Sequence, residues 1–253
     1  MNAAPDLTRL RGFIEQLDLS YVSQTYEDLA KQAIDKRWSH LTFLEHLIEG
    51  ECLDRHHKRV ERLLCRAKLP KRITTLDQFD WDWPESVNEP LIRELFRLDF
   101  IRRKSNAVFI GNPGLGKTHL LVALGHHACM QGHSVLFTTA IEAVNRLVAA
   151  QEARRLRSEL KRYRRPSLVL IDELGFLGLD QVRADLMFQL ICQRYEHGSL
   201  VITTNKEYKK WIEIMANSSS ITSAILDRVL HHCDTVAFDG ESYRMKDKRG
   251  DKK

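Results

Sequence analysis

Residues 111–118 read Gly111-Asn112-Pro113-Gly114-Leu115-Gly116-Lys117-Thr118, which is a complete G-x-x-x-x-G-K-T phosphate-binding loop. A short apolar strand is predicted before the loop, over 106–110, and a helix after it, over 119–131. Glycines let backbone amides curl around phosphates, and the helix directs the positive end of its dipole at the same anion. The loop therefore predicts a nucleotide site formed by Gly111, Asn112, Pro113, Gly114, Leu115, Gly116, Lys117, Thr118 and His119.

A second motif supplies the carboxylates that this kind of site needs. Residues 168–173 read LVLIDE, a hydrophobic strand that ends in Asp172 and Glu173. Thr118 and Asp172 are expected to hold Mg²⁺, Asp172 through a water, while Lys117 reaches the β- and γ-phosphates. Glu173 is expected to polarise the water that attacks the γ-phosphate. Together the two motifs predict Mg²⁺-dependent hydrolysis of a nucleoside triphosphate.

A third strand indicates which nucleotide is bound. It is predicted over 199–203, and polar residues including Asn205 follow it. In ATPases of the AAA+ class a polar residue at this place, sensor 1, helps to position the lytic water, and Asn205 fits it best. The run Asn205-Lys206-Glu207-Tyr208 superficially resembles the N-K-x-D motif that reads guanine, but Tyr208 stands where the discriminating aspartate is required. We therefore expect ATP rather than GTP.

Composition narrows the class of protein further. The chain has 253 residues, of which 43% are hydrophobic, and this permits one large domain with an appendage. No apolar run approaches the length of a membrane span, and no signal-peptide core is apparent, so no membrane partner is expected. The five cysteines are scattered without a C-x-x-C pair. They are typical of reduced thiols in a cytoplasmic protein.

Hydrophobic periodicity divides the chain into three parts. Residues 1–68 are predicted to form a small all-helical domain, with a long helix that opens at a Thr42–Glu45 capping box. Residues 69–90 form a collar whose aromatic residues either pack onto the next module or border the adenine. Residues 91–253 alternate apolar runs and helical stretches, which predicts a three-layer αβα sandwich around a five-stranded parallel sheet. The five strands are drawn over 106–110, 134–138, 167–171, 199–203 and 234–238.

Several linked motifs resemble those of one family. GNPGLGKTHL, LVLIDELGFLGL, LVITTNK, ILDRVLHH and GESYR look like the motifs of the IstB-like ATPases, which are helper proteins of bacterial insertion-sequence transposition. That family is similar in turn to the DnaC-type replicative helicase loaders. The resemblance covers the whole chain, including LTFLEHLIEGE and the collar LPKRITTLDQFDWDW, and its last two motifs are far more specific than a phosphate-binding loop.

The resemblance implies roles for two arginines, the absence of a C-terminal lid, and assembly into an oligomer. Arg228 would be an arginine finger that completes the ATP site of a neighbouring subunit, and Arg244 would be the nucleotide-contacting sensor 2. About fifteen residues follow the last predicted strand, so no C-terminal helical lid is expected, as in the IstB and DnaC group. The chain would then be a homo-oligomer with ATP at its subunit interfaces.

Charge predicts where DNA would bind. Residues 1–90 carry a net charge of −3 and residues 91–253 a net charge of +8. A polar helical insertion is predicted over 139–165, where initiator-class AAA+ proteins carry an extra helix that faces bound DNA. Its last twelve positions have a net charge of +6, and no base-reading motif is visible. We expect largely sequence-independent contacts to duplex phosphates from Arg154, Arg155, Arg157, Lys161 and Arg162.

The leading hypothesis is an ATP-dependent regulator of transposition. It would assemble on double-stranded DNA, bend it, and present it to a partner transposase that stimulates hydrolysis. The protein would not cut DNA, since no nuclease or transposase carboxylate triad is evident in the sequence. Two alternatives stay open: a DnaC-type loader that targets a hexameric helicase, and a scaffold that binds ATP without turning it over.

Overall fold

The chain forms two compact units that divide between Arg62 and Leu63. The computed structural model describes residues 7–72, 74–83 and 85–243. In its described residues the first unit is helical, with α1 (Leu7–Gln16), α2 (Ser20–Asp35) and most of α3 (His40–Ala67). The helix predicted to open at the Thr42 capping box therefore begins two residues earlier and runs to Ala67. No helix in the described ranges is long and apolar enough to cross a membrane.

A buried carboxylate joins two helices of the first unit. Glu51 on α3 accepts hydrogen bonds from the backbone amides of Tyr21 at 2.9 Å and Val22 at 3.2 Å, in the first turn of α2. Arg55 Nε donates to the same carboxylate at 2.9 Å. Burial acts to raise the pKa of Glu51, but the hydrogen bonds from Arg55 and from the two amides outweigh it and lower the pKa. The negative charge also lies at the positive end of the α2 dipole.

The second unit is built on one mixed sheet. Its strands are β1 (Ser86–Val87), β2 (Asn106–Gly111), β3 (Val135–Thr139), β4 (Leu168–Leu174), β5 (Ser199–Thr204) and β6 (Cys233–Asp239). They lie in the order β1-β6-β2-β5-β4-β3. The five longer strands are parallel and correspond to the five predicted strands, whereas β1 pairs antiparallel with β6. The prediction of a purely parallel five-stranded sheet is therefore wrong, because a two-residue strand is too short to show a periodicity.

Helices cover both faces of this sheet. One face carries the end of α3 with α4 (Glu89–Leu95), α5 (Asp99–Arg102) and α6 (Lys117–Met130). The other face carries α7 (Ala140–Glu152), α8 (Leu156–Arg164), α9 (Gln181–Arg194), α10 (Trp211–Ile214) and α11 (Ser219–Leu230). Successive strand residues alternate between the two cores, so that Leu168 and Leu170 face the first layer and Val169 and Ile171 the second. The result is three layers, in which β4 and β5 are almost entirely buried and β6 near the edge of the sheet is partly exposed.

The helical insertion predicted over 139–165 consists of two helices, α7 and α8. Helix α7 ends in a Schellman motif, in which Arg155 N donates to Ala150 O and Arg154 N donates to Gln151 O. Arg154 adopts the left-handed conformation that this motif needs, with φ of +55°. Both helices bury an apolar stripe, which includes Leu147 on α7 and Leu160 on α8. The basic residues of the insertion thus lie in the turn after α7 and on α8, which is packed against the domain.

Arg194 holds the end of α8 in place. This side chain is 2% exposed, and its two terminal nitrogens donate to five backbone carbonyls, those of Tyr163, Arg164, Pro166, Ser167 and Ser199. Two of these carbonyls belong to the C-terminal turn of α8. Burial lowers the pKa of Arg194 to about 10. The guanidinium thereby supplies donors to the carbonyls at the end of α8, which have no partner within the helix.

Candidate nucleotide site

The phosphate-binding loop connects β2 to α6 in the conformation that its glycines allow. Gly114 and Gly116 have φ of +85° and +86°, a region that other residues rarely adopt. A Cβ at Gly114 would lie 2.0 Å from the Ser242 hydroxyl, so the C-terminal segment closes tightly over the loop. Tyr243 N donates to Gly114 O at 2.8 Å, which fixes this approach.

Two side chains of the loop are held by hydrogen bonds. Lys117 Nζ donates to the carbonyls of Gly111 and Asn112 at 2.6 and 2.7 Å. Thr118 Oγ1 donates to the carboxylate of Asp172 and lies 3.0 Å from each of its oxygens. The predicted partners Thr118 and Asp172 are therefore in direct contact, although they come from different elements.

A β-bulge shapes the acidic end of β4. Ile171 pairs with Ile202 of β5, but Leu174 pairs with Thr204, so β4 carries one residue more than β5 between these pairs. Asp172 and Glu173 both lie opposite Thr203 as a consequence. Glu173 has φ of +60°, and its backbone amide donates to Thr203 Oγ1 at 2.9 Å. The Thr203 hydroxyl in turn donates to Asp172 Oδ1.

These groups line a cleft with a volume of about 810 Å³. Lys117, Thr118, Glu173 and Asn205 all contribute to its wall, which brings the predicted catalytic and phosphate-binding side chains together. Asn205 and Glu173 are exposed, whereas Asp172 is buried behind Thr118. The volume lies in the range of pockets that enclose ligands of nucleotide size.

The collar forms a further wall of the cleft. Phe79 is 8% exposed, packs within the core beside α6 and also lines the cleft. Trp83 lines it too, and its indole packs edge-on against Tyr243 at 5.4 Å and donates to Glu241 O at 2.9 Å. The positions of Phe79 and Trp83 are therefore compatible both with packing onto the second unit and with bordering an adenine. Trp81 packs against the core.

His119 is engaged with the collar rather than held free for a ligand. Its Nε2 lies 3.1 Å from Thr75 O, and its ring packs against Phe79 with 5.8 Å between centroids. Thr74 Oγ1 also donates to His119 O at 3.2 Å. His119 lines the cleft through the remaining part of its surface.

Two further residues of the cleft region carry no signal in the sequence. Thr203 stands two positions before Asn205 in the same polar strand end, and a sequence offers no reason to prefer one of these side chains for contact with Asp172. Arg72 lines the cleft from the collar, where it belongs to a basic run without any motif.

Of the two arginines implied by the family motifs, the structure describes one, and that one lies away from the cleft. Arg228 on α11 donates to Ala224 O at 2.8 Å and stacks over the Phe188 ring at 5.1 Å, and it does not contribute to the wall of the cleft. Arg244 lies outside the described residues.

The basic residues predicted to contact DNA follow the end of α7 and run along α8. Arg154, Arg155, Arg157 and Lys161 are exposed. Arg162 is only partly exposed, and its Nε lies 3.9 Å from the Glu159 carboxylate. Glu159 also pairs with Arg146 of α7 at 3.0 Å. The cluster therefore presents its positive charge mainly through the first four residues.

The cleft fits ATP and Mg²⁺ on chemical grounds. Gly114 and Gly116 hold the loop in left-handed conformations that side chains rarely allow, which suits backbone amides that curl around a phosphate. The Thr118 hydroxyl and the Asp172 carboxylate form the oxygen donor set that Mg²⁺ prefers. The arrangement can bind a triphosphate and place the Glu173 carboxylate near it.

Comparisons with known proteins agree with this architecture. The sequence model of the family described as "IstB-like ATP binding protein" matches residues 13–251. The ATP-binding protein of insertion sequence IS5376 from Geobacillus stearothermophilus is 38% identical over 241 residues, which is 95% of each chain. The corresponding protein of IS21 from Pseudomonas aeruginosa is 36% identical over 240 residues, which is 95% of this chain and 90% of that one.

Solved structures share the fold at low sequence identity. The replication initiator DnaA bound to AMPPCP and single-stranded DNA superposes with a TM-score of 0.57 and 19% identity, over 73% of this chain and 56% of that chain. The DnaC helicase loader superposes with a TM-score of 0.52 and 20% identity, over 66% of this chain and 97% of that chain.

Proposed function

The chain belongs to the family of IstB-like ATP-binding proteins, and from this membership and its cleft we propose an ATPase that acts on DNA in transposition. It assembles as a homo-oligomer on double-stranded DNA, bends the DNA, and recruits or stimulates a partner transposase. ATP is hydrolysed to ADP and phosphate, and the protein has no DNA cleavage activity of its own. The observation that carries the proposal is the contact between Thr118 and Asp172 at the floor of the cleft.

Each side chain of the cleft has one task in the proposed hydrolysis. The loop amides and Lys117 bind the β- and γ-phosphates, and Thr118 with Asp172 holds Mg²⁺, which supplies positive charge to the phosphate oxygens when bound. Glu173 orients a water and accepts its proton as the bond between the γ-phosphorus and its bridging oxygen breaks. Asn205 holds the same water from the neighbouring strand.

Hydrolysis in the cleft would be accelerated by an arginine that stabilises negative charge in the transition state. Among the described residues that line the cleft, Arg72 is the only arginine. We assign this role to Arg228 of a neighbouring copy because its motif ILDRVLHH resembles that of the IstB-like ATPases. Its position on α11, away from the cleft of its own copy, is compatible with the assignment. Arg244 is assigned the sensor 2 role on the strength of the GESYR motif alone.

Duplex DNA is assigned to the basic residues that follow α7. Arg154, Arg155, Arg157 and Lys161 present exposed cations, and Arg162 contributes less because of its proximity to Glu159. Contacts of this kind are to phosphates, so binding should tolerate sequence and weaken with salt.

The ATPase assignment is tested with Glu173→Gln, which removes the proton acceptor and keeps the shape of the side chain. We expect this variant to bind ATP, to hydrolyse it at a rate lower by about 100-fold or more, and to accumulate as stable oligomers on duplex DNA. The measurements are phosphate release and negative-stain imaging with DNA. Lys117→Ala is the matched control, which should lose ATP binding and the oligomers together. Unchanged turnover in Glu173→Gln contradicts the assigned role.

The DNA surface is tested by the salt dependence of affinity. Replacing Arg155, Arg157 and Lys161 with alanine should lower the slope of log K against log salt by about 0.9 for each phosphate that the variant no longer neutralises. The control is Arg103→Ala with Lys104→Ala, an exposed basic pair at the turn before β2. An unchanged affinity and slope in the triple variant would remove the α7–α8 region from the DNA surface.

The partner is tested by affinity capture with the full chain and ATP. We expect the transposase encoded with the same insertion sequence to be retained. Retention of a replicative helicase and no transposase would favour the loader alternative instead. Stable DNA-bound oligomers without any phosphate release would favour a scaffold that binds ATP without turnover.

A further inference from the structure

One hydroxyl joins both acids of the cleft. Thr203 Oγ1 accepts a hydrogen bond from the Glu173 amide at 2.9 Å and donates its own proton to Asp172 Oδ1. The side chain is 2% exposed, so water does not compete readily for either bond. A threonine hydroxyl has one proton to donate, and here that proton is committed to the carboxylate.

The bulge brings this one hydroxyl into contact with both acids. Because Asp172 and Glu173 share one opposing residue, the regular ladder between β4 and β5 is interrupted at this point. Glu173 has φ of +60°, which is uncommon for a residue other than glycine and needs support from its surroundings. The hydrogen bond from the Glu173 amide to Thr203 Oγ1 supplies such support.

The carboxylate of Asp172 is oriented from two sides. Thr118 Oγ1 donates from α6, and Thr203 Oγ1 donates from β5. Three elements of the sheet and its covering layer therefore meet at one buried carboxylate. Partners of this kind fix the direction in which a ligating or proton-accepting group points.

We propose that Thr203 is a positioning residue for hydrolysis, which sets the orientation of the Asp172 carboxylate and the backbone conformation that aims Glu173 into the cleft. This proposal rests on the proposed ATPase function. Thr203 acts through the two acids and has no task in gripping the phosphates, which belong to the loop and Lys117. Loss of its hydroxyl should therefore lower the turnover number and leave ATP affinity nearly unchanged.

The test compares variants that differ only by the hydroxyl. Thr203→Val keeps the shape of the side chain, and the pair Thr203→Ser and Thr203→Ala differs by one oxygen atom. We expect Thr203→Val and Thr203→Ala to reduce the turnover number about 10- to 100-fold with a Kd for a fluorescent ATP analogue within about twofold of wild type. Thr203→Ser should retain most of the activity.

A second readout does not depend on activity. Amide hydrogen exchange at Glu173, followed by mass spectrometry without nucleotide, should accelerate in Thr203→Val and Thr203→Ala but not in Thr203→Ser. The control is Thr138→Val, since Thr138 is a buried threonine of β3 whose hydroxyl donates to Thr139 O at 3.1 Å and which does not line the cleft. It should change neither the turnover number nor exchange at Glu173.

The outcomes separate the two proposals. If the wild-type protein hydrolyses ATP and Thr203→Val hydrolyses it equally fast, the positioning role is overturned and the ATPase function stands. If Thr203→Ser loses as much activity as Thr203→Ala, the hydroxyl is not the active feature, and this comparison remains decisive should the valine variant not fold. If the wild-type protein does not hydrolyse ATP, the ATPase function is overturned, while the exchange result still decides whether Thr203 holds Glu173.

Discussion

At the scale of single residues, Glu51 makes the stability of the first unit depend on pH. The folded state holds its pKa below the unfolded value of about 4.3, through hydrogen bonds that outweigh the effect of burial. A group with a lowered pKa contributes stability above its unfolded pKa and loses that contribution as the pH falls through its folded pKa. The contribution of Glu51 is therefore complete at pH 7.

We expect Glu51→Gln to lower the free energy of unfolding at pH 7 by about 1–2 kcal/mol, because the charge-assisted hydrogen bonds to α2 and Arg55 are removed. The difference from wild type should shrink as the pH falls below about 4.3. Urea unfolding followed by circular dichroism at several pH values measures it. Glu49→Gln, an exposed change on the same helix, is the control. A difference that grows in acid would contradict the sign of this argument.

The site residues are predictable to different extents at this scale. Lys117, Thr118 and Asp172 can be identified because each stands in a contiguous motif whose spacing follows from its chemistry. Thr203 cannot be identified from the sequence, because its role comes from the bulge in β4. A sequence does not show which residue at the end of β5 faces Asp172 and Glu173 on β4. Arg72 cannot be identified either, because a basic side chain in a collar carries no local signature.

At the scale of secondary-structure elements, the turn between α7 and α8 contains a strained backbone conformation at Arg154, which a substitution can relieve. Arg154 occupies the left-handed position of the Schellman motif, where glycine has no steric cost. We expect Arg154→Gly to raise the free energy of unfolding by about 0.5–1 kcal/mol. The same change should weaken DNA binding, because it removes an exposed cation. Urea unfolding and binding to duplex DNA at several salt concentrations measure the two effects.

Arg154→Ala separates the two consequences of this change. Alanine removes the charge but keeps the cost of the left-handed backbone, so DNA binding should weaken as in the glycine variant without a gain in stability. Equal stability of the alanine and glycine variants would show that the backbone at this position is not strained.

How accurately an element can be predicted depends on how strong its hydrophobic periodicity is. The strands β2 to β5 can be placed within a few residues, since their apolar runs are buried on both faces of the sheet. Strand β6 can be placed as well, although it buries Val236 and Phe238 on one face only. The antiparallel strand β1 has two residues, and it exists because β6 offers an edge to it. The sequence does not mark the break between α7 and α8, because Arg154 does not resemble a helix terminator and glycine, the usual signal, is absent there.

At the scale of the whole molecule, the proposed arginine finger makes activity a property of neighbouring copies. Lys117→Ala should bind no ATP, and Arg228→Ala should bind ATP without hydrolysing it. Equimolar mixing of the two should restore phosphate release at about a quarter of the interfaces if copies assemble at random. At those interfaces a copy with intact Lys117 receives Arg228 from its neighbour.

Phosphate release is measured for each variant and for the mixture across a range of total protein concentrations. Full activity of Arg228→Ala alone would remove the finger from the mechanism. A mixture that stays inactive although both variants fold and are found together in the assemblies that the mixture forms on DNA would mean that Arg228 does not act between copies. Unfolding by urea controls for stability, because Arg228 also packs on Phe188.

The nucleotide class, the parallel strands and the acidic pair can be read from local patterns. They depend on residues that lie within a few positions of one another, where periodicity and steric preference act directly. The closure of the cleft cannot be read in this way. Trp83 meets Tyr243, Gly114 meets Ser242, and Thr203 joins both acids, through contacts between segments that are distant in sequence. Such contacts depend on how the layers pack, and the free energy of that packing is shared by the whole core.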